Sequence, residues 1–396
     1  MKKWIAVCLC FLVFFTGNVC LSASDGYDIL SLQQYLESMA PATLTTELNL
    51  DAQGAVLMEA STGKILYSFQ SDKKLYPASV TKVMTMLLVM EALDSGKIAE
   101  TDEVTASQNA ASMGGSQIYL EVGEVMTVQE LLKAVAINSA NDAAVALAEF
   151  VCGSEMEFVA AMNRKASELG AINTCFMNPN GLHDEGHYTC AYDIALFTRE
   201  LLTAHPGILS YTGIWMDSLR NGTFGLANTN KLLRTYSGMT GMKTGYTKEA
   251  GHCLSGTASR NGMDLIAVVL GAADSKARFA SVAQLLDYGF ANYQVVSRQA
   301  DPIAPVPVTK GKTSQVTVRV NESLSVVLPK GKVGEITSEV VLEPTIVAPV
   351  QAGQQVGTLI FRLDGVELKS CPIVAAETVE KAGFLDYLGR IWQRLI

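Results

Sequence analysis

Ser79 and Lys82 stand three residues apart, directly before the apolar run Val83-Met84-Thr85-Met86-Leu87-Leu88-Val89-Met90. On a helix, positions i and i+3 lie one turn apart on the same face, so this hydroxyl and this amine can meet. A neutral lysine at that spacing can take the serine proton and free the oxygen for nucleophilic attack. Lysine is neutral only where burial or a second cation pushes its pKa down. The run from Val83 has no polar face, which marks a helix enclosed by protein and supplies the burial. Ser61-Thr62-Gly63-Lys64 and Ser71-Asp72-Lys73-Lys74 share the S-x-x-K spacing. The first reads as a hairpin turn between the strand-like runs Ala55–Glu59 and Ile65–Ser68, and the second as a charged loop. Only Ser79 follows a proline, Pro77, placed to start a helix. Taken alone, Ser79 is equally readable as a plain helix start.

Two further clusters carry polar chemistry. Thr127-Val128-Gln129-Glu130 is a capping box opening a helix to about Asn138. Ser139-Ala140-Asn141-Asp142 interrupts that helix before a second one, Ala143 to Phe150. Ser139 and Asn141 are therefore expected on a short turn that projects them into a cleft, the alternative being that Ser139 caps the second helix. Farther on, Gly241-Met242-Lys243-Thr244-Gly245-Tyr246 reads as a strand. It precedes two β-rich runs, His252–Ser259 and Leu265–Gly271, joined at Arg260-Asn261-Gly262-Met263. Lys243 and Thr244 would present a cation and a hydroxyl at a sheet edge, and Gly245 would let a substrate backbone come close.

The elements that must hold these groups define an α+β domain over residues 24–297. Strands at 55–68 and 243–271 flank a helical middle, so one antiparallel sheet, built from both ends of the domain and covered by helices, is expected. Near residue 298 the character changes. Pro302, Pro305 and Pro307 are followed by alternating segments (Val316/Val318/Val320, Leu324–Leu328, Ile336–Leu342) and by a hairpin, Val356–Leu363 with Val366–Val374, turning on Asp364-Gly365. This pattern predicts a small all-β, sandwich-like domain over 298–376. In the last segment, 377–396, Phe384, Leu385, Leu388, Ile391, Trp392 and Leu395 form a stripe opposite Asp386, Arg390, Gln393 and Arg394. That is an amphipathic helix suited to a membrane surface, with Trp392 at headgroup level; docking on the β domain is the alternative.

The chain has 396 residues, 49% of them hydrophobic, enough for a large core and more than one domain. Its net charge of −9 and lack of a basic tract argue against a nucleic-acid partner. Lys2 and Lys3, the apolar run Trp4–Phe15 and the small residues up to Ser24 form a secretory signal peptide over 1–23, too short to span a bilayer. Five cysteines remain after it, Cys152, Cys175, Cys190, Cys253 and Cys371; their odd number and irregular spacing argue against a disulfide framework. Cys175, His183, His187 and Cys190 fall within sixteen residues, but no C-x-x-C pair accompanies them, and no metal is expected there.

S-x-x-K at 79–82, S-x-N at 139–141 and K-T-G at 243–245 stand in the order found in the penicillin-recognising serine enzymes, which the chain resembles. The segments Pro77-Ala78-Ser79-x-Thr81-Lys82-x-Met84-Thr85, Ser139-Ala140-Asn141-Asp142-Ala143, Phe176-x-Asn178-Pro179-x-Gly181-Leu182 and Asn228-Thr229-Asn230-x-Leu232-Leu233 are similar to the low-molecular-mass D-alanyl-D-alanine carboxypeptidases. The resemblance covers roughly residues 40 to 290. It implies hydrolysis of the terminal D-alanine from peptidoglycan stem pentapeptides through an acyl-enzyme, inhibition by β-lactams, and no metal or organic cofactor. It implies Ser79 as nucleophile, Lys82 as its base and Ser139 as proton relay to the leaving amine. Asn141 would hold the substrate amide, Lys243 and Thr244 the terminal carboxylate, and the N–H groups of Ser79 and Tyr246 the oxyanion. It also implies export, with attachment to the outer face of the cytoplasmic membrane through the last helix. Thr189-Cys190-Ala191 departs from the family, which more often has a hydroxyl at Cys190. Two alternatives stay open: a β-lactamase, although no E-x-x-L-N glutamate follows S-x-N and only Glu185 lies in the corresponding loop, and a non-catalytic penicillin-binding sensor or wall-binding module.

Overall fold

The computed structural model describes residues 48–321, 324–331 and 336–395, with the backbone alone from Arg390 onward. The segment 1–23, expected from the sequence to be a signal peptide, lies outside them. Five strands form the central antiparallel sheet: β1 (Gly54–Glu59), β2 (Ile65–Phe69), β3 (Met239–Thr247), β4 (Gly251–Arg260) and β5 (Met263–Ala272). Their order is β2-β1-β5-β4-β3, so the first and last parts of the domain do share one sheet and β3 is left as an edge. Side chains alternate across a strand, and both faces here are buried. Val56, Met58, Ile266, Val268 and Leu270 face one core, whereas Ala55, Leu57, Leu265, Ala267 and Val269 face another. That double burial is why these strands read as nearly continuous apolar runs.

The first core is filled by α1 (Lys82–Asp94), α2 (Val128–Lys133), α3 (Asn141–Cys152), α4 (Glu155–Glu168) and α5 (Ala191–Ala204). In α1 every residue from Lys82 to Met90 is buried, as its unbroken apolar run requires. The second core rests on α6 (Ser275–Asn292), a helix that the sequence reading passes over. Asp274 caps it by accepting the Ala277 N–H, and Val282, Leu285, Leu286 and Phe290 lie on the sheet. Gly289 sits where a Cβ would come within 2.5 Å of Leu265, so α6 packs unusually close to the strands.

The interruption after α2 differs from its expected form. Ala134–Asn138 make a π-helical turn, Ser139 takes a left-handed conformation (φ 63°), and Asn141 is already the first residue of α3. Ser139 does not cap α3: Ala140 holds that position, with no side-chain hydrogen bond. Ser61-Thr62-Gly63-Lys64 forms the β1–β2 turn, where the Glu59 carboxylate accepts the N–H groups of Ser61 and Thr62.

The C-terminal part begins with β6 (Tyr293–Arg298), followed by β7 (Val306–Thr309), β8 (Gln315–Val316), β9 (Val318–Val320), β10 (Leu324–Pro329), β11 (Ile336–Leu342), β12 (Ile346–Val347), β13 (Gln355–Leu363) and β14 (Val366–Ala375). Sheets ordered β9-β14-β13-β11 and β8-β7-β12 enclose a core of Val306, Leu328, Phe361 and Ile373, among others. Strand β6 pairs with β10, whose Val327 packs with Phe290 in the second core and whose carbonyl there accepts from Lys64 Nζ at 3.3 Å. A final helix, α7 (Phe384–Leu395), exposes Phe384, Leu385, Tyr387 and Leu388. The rest of the expected stripe, Ile391, Trp392 and Leu395, has side chains outside the described residues.

The loop 177–187 crosses the start of α1 and is fastened to it. Thr85 Oγ1 donates to the Pro179 carbonyl at 2.5 Å, and a Cβ on Gly181 (φ +82°) would lie 1.9 Å from the Ala78 carbonyl oxygen. His187 is buried between the two segments, 2.8 Å from Thr81 Oγ1, and its Nδ1 accepts the Met177 N–H at 3.2 Å. An accepting Nδ1 fixes the neutral tautomer with its proton on Nε2, which donates to Thr81. Burial pushes the His187 pKa down to about 4, with His183 and Lys82 adding to the shift and Asp184 opposing it. Above pH 6.5 both folded and unfolded chains hold this histidine neutral. As pH falls toward 4 the unfolded chain binds a proton that the folded one refuses, and stability is lost. Urea unfolding should show a loss of up to about 3 kcal/mol between those limits that His187→Gln lacks. An equal loss in both proteins would contradict this account.

Candidate active site

Ser79 lies on a 3₁₀ turn, Ala78–Thr81, that runs into α1, rather than on α1 itself. The spacing still works, because a 3₁₀ turn also brings residues i and i+3 together. Lys82 Nζ is 3.0 Å from Ser79 Oγ, 2.6 Å from Asn141 Oδ1 and 2.6 Å from the Asn180 carbonyl oxygen. The last two partners can only accept. A neutral amine has two N–H groups and one lone pair, so it satisfies both acceptors and keeps the lone pair for the serine O–H.

Electrostatics point the same way. Lys82 is fully buried and held well below the usual lysine range, first by desolvation and then by the nearby Lys243, with Asp142 opposing. Lys243 is also buried, and its pKa falls to about 7, through desolvation and then the Arg278 guanidinium. A positive charge on Lys243 thus favours the neutral form of Lys82.

Asn141 is aimed by its surroundings. Its N–H donates to the Ser116 carbonyl at 2.7 Å and its Nδ2 to the Gly114 carbonyl at 2.6 Å. Asp142, fully buried, accepts the N–H groups of Ile118 and Leu120 and so pins the segment that forms this wall. Ser139, 4% exposed, sits on the left-handed residue between the π turn and α3. A serine there costs of order 1–2 kcal/mol, strain that the flanking helices must hold.

Strand β3 forms the facing wall. Lys243 Nζ donates to the Thr244 carbonyl at 2.9 Å, and Thr244 Oγ1 is 2.6 Å from Thr229 Oγ1. Gly245 lies against the turn that carries Ser79. A Cβ there would come within 2.9 Å of the Pro77 carbonyl oxygen and 3.0 Å of the Ser79 nitrogen. The missing side chain thus lets the turn that carries Ser79 close on the strand. Tyr246 is 59% exposed at the mouth and stacks on His252, ring centroids 4.4 Å apart.

Three contributors escaped the sequence reading. Thr229 adds a hydroxyl beside Thr244, and its neighbours explain its placement. Asn228 Nδ2 donates to the Ile214 carbonyl, and Asn230 Nδ2 to that of Gly241 at the start of β3. Asn180 supplies a backbone carbonyl to Lys82, which no side-chain pattern can announce. Arg278 of α6 donates to the Gly245 and Cys253 carbonyls at 3.0 and 3.2 Å, joining β3 to β4 at the site. His187 is spent on the loop, Cys190 caps α5, and His183 lies edge-on to Tyr76. Among the described residues no group of three or more potential ligands gathers.

Residues 41–274 match the family described as D-alanyl-D-alanine carboxypeptidase, and residues 290–381 the C-terminal domain of penicillin-binding protein 5. D-alanyl-D-alanine carboxypeptidase DacF of Bacillus subtilis is 48% identical over 352 residues, covering 87% of this chain and 90% of its own length. DacC of Escherichia coli is 37% identical, with 87% of each chain covered. The crystal structure of penicillin-binding protein 5 from Haemophilus influenzae superposes with a TM-score of 0.73 at 32% identity, covering 84% of this chain and 98% of that one. With a buried lysine amine 3.0 Å from a serine hydroxyl and this likeness over both domains, the chain belongs to the D-alanyl-D-alanine carboxypeptidase family of low-molecular-mass penicillin-binding proteins.

Proposed function

We propose that Ser79, Lys82 and Ser139 perform the chemistry of this D-Ala-D-Ala carboxypeptidase, which removes the terminal D-alanine from peptidoglycan stem peptides and is acylated by penicillin. The observation that carries the assignment is the Lys82 amine, fully buried, 3.0 Å from Ser79 Oγ and with its other contacts made to acceptors. As Ser79 Oγ attacks the carbonyl between the two D-alanines, its proton passes to the Lys82 lone pair. The tetrahedral oxyanion lies between the backbone N–H groups of Ser79 and Tyr246, each donor lowering the barrier by about 3 kcal/mol. Ser139 hands its proton to the departing D-alanine nitrogen and takes the Lys82 ammonium's proton in its place, the C–N bond breaks, and the acyl group stays on Ser79 with Lys82 neutral again. Water, deprotonated by Lys82, then displaces the ester oxygen and restores the serine.

Substrate carboxylate binding falls to the Lys243 charge and to the Thr244 hydroxyl, with Thr229 beside it. The second N–H of Asn141 Nδ2 is available to the acyl-side amide. Supporting these roles, Lys82 joins Ser79 to Asn141, and Gly245 of β3 packs against the Ser79 turn. A carboxypeptidase rather than a β-lactamase is favoured because Lys82 meets a backbone carbonyl in the loop 177–187 and no carboxylate bonds to it there.

We further infer that α7 attaches the exported protein to the outer face of the membrane. No helix among the described residues is long and apolar enough to cross a bilayer, whereas Phe384 and Leu385 are 77% and 80% exposed. Two exposed bulky residues at the start of a helix gain from entering the interface. The domain limits 24–297 and 298–376, with the anchor at 377–396, belong to the same proposal.

Intact mass after mixing with benzylpenicillin should show one covalent adduct that persists, absent in Ser79→Ala, which should also lose D-alanine release at least about a thousandfold. An adduct in the mutant, or its disappearance within seconds as penicillin is hydrolysed, would contradict the assignment. For the helix, the full chain should sediment with anionic vesicles, and Leu385→Asp/Leu388→Asp should stay in the supernatant. Equal sedimentation would refute attachment through α7.

A further inference from the structure

Arg220 stands at the turn of a hairpin, Met216–Leu219 with Phe224–Ala227, that carries none of the residues given a chemical role above. Its guanidinium nevertheless reaches the main chain that walls the active site. Nη1 donates to the Ile118 carbonyl at 2.8 Å and Nη2 to that of Tyr119 at 3.3 Å, while Nε and Nη2 hold the Glu124 carboxylate at 2.7 and 3.0 Å. Arg220 and Tyr119 both take left-handed backbone conformations, φ 51° and 59°, which residues other than glycine keep only where their surroundings hold them. Phe224 contacts both, with the Tyr119 ring edge-on at 6.3 Å and the guanidinium 5.4 Å from its ring centre.

The other side of the same segment belongs to α3. Asp142 accepts the N–H groups of Ile118 at 3.0 Å and Leu120 at 3.1 Å. The peptide joining Tyr119 to Leu120 therefore gives its N–H to a buried carboxylate and its carbonyl to a guanidinium. A peptide dipole set between an anion and a cation is polarised by both, so each bond strengthens the other. The residues just before this clamp hold Asn141. The Gly114 carbonyl accepts its Nδ2 at 2.6 Å, the Ser116 carbonyl accepts its N–H at 2.7 Å, and a Cβ on Gly115 would come within 2.9 Å of Nδ2. With contacts this close, a small shift of the wall passes directly to the Asn141 amide, whose Oδ1 lies 2.6 Å from Lys82 Nζ.

We propose that Arg220 is a positioning residue for the reaction: by holding the Ile118 and Tyr119 carbonyls against Asp142 it fixes the wall from Gly114 to Leu120, and through that wall the side chain of Asn141. It touches neither substrate nor Lys82. The proposal deepens the reading above and rests on the assignment of Asn141 to the acyl-side amide.

The test compares acylation by two β-lactams, followed by intact mass at short times. Benzylpenicillin carries an acyl-side amide for Asn141 to hold, whereas 6-aminopenicillanic acid has a bare amine in its place. Arg220→Gln should lower the second-order rate constant about tenfold more for benzylpenicillin than for 6-aminopenicillanic acid, a selectivity that general loosening of the fold does not produce. Asn141→Ala should narrow the same preference, and adding Arg220→Gln to it should narrow it no further. If Arg220→Gln does not fold, Arg220→Lys, which keeps the charge beside Glu124 but loses the paired N–H groups, is read in the same way. Equal slowing with both compounds, no slowing with either, or a full further loss of preference in the Asn141→Ala background would overturn the clamp. An unchanged preference in Asn141→Ala alone would instead remove the Asn141 assignment on which it rests.

Discussion

The amine of Lys82 is enclosed by protein with only acceptors and one serine hydroxyl around it, and the rest of the catalytic domain can be understood as the means of keeping it there. A charged ammonium in such a place is disfavoured by desolvation. Asn141 Oδ1 and the Asn180 carbonyl, which would partly solvate a cation, are limited to the two N–H groups that a neutral amine retains. Lys243, itself buried, opposes a second positive charge. Each of these three comes from a different part of the chain, so the lysine's protonation state depends on the whole fold.

Every supporting element meets the others across that point. α1 is buried on all sides because it carries the lysine through the middle of the first core. The loop 177–187 is tied to α1 by Thr81, Thr85 and His187, which holds the Asn180 carbonyl against the amine. The π turn ends on the left-handed Ser139, and Asn141 then opens α3 with its Oδ1 against the Lys82 amine. Gly245 brings β3 against the nucleophile, and Arg278 secures that strand from behind. The α6 helix thereby links the site to the second core and, through Phe290 and Val327, to the C-terminal domain.

Much of this was legible in the sequence, because periodicity and motif order report the elements that are long or chemically distinctive. The sheet from both ends of the domain, the enclosed α1, the β-rich C-terminal part and the three motif clusters are visible in apolar spacing and in Ser, Lys and Asn placement. What escaped depends on tertiary geometry. Arg278 was missed together with α6, whose apolar positions 282, 285, 286 and 290 do carry helical spacing but follow directly on two strands. The Asn180 contribution is a backbone carbonyl and leaves no mark in side-chain pattern. The role of Gly245 could be stated only once the distance from the strand to the Ser79 nitrogen was known. Ser139 was placed on a turn correctly, but a π-helical segment and a left-handed serine have no spacing signature of their own.

The central claim is that Lys82 is uncharged in the resting enzyme. Its Cε and Nζ can be titrated directly by NMR in protein carrying isotope-labelled lysine, with Lys82→Met used to assign the signal. The account predicts a neutral amine at pH 7.5, its titration shifted well below the ordinary lysine range by burial and by Lys243. A Lys82 signal that stays protonated to near pH 10, the ordinary lysine range, would contradict it and leave Ser79 without its base.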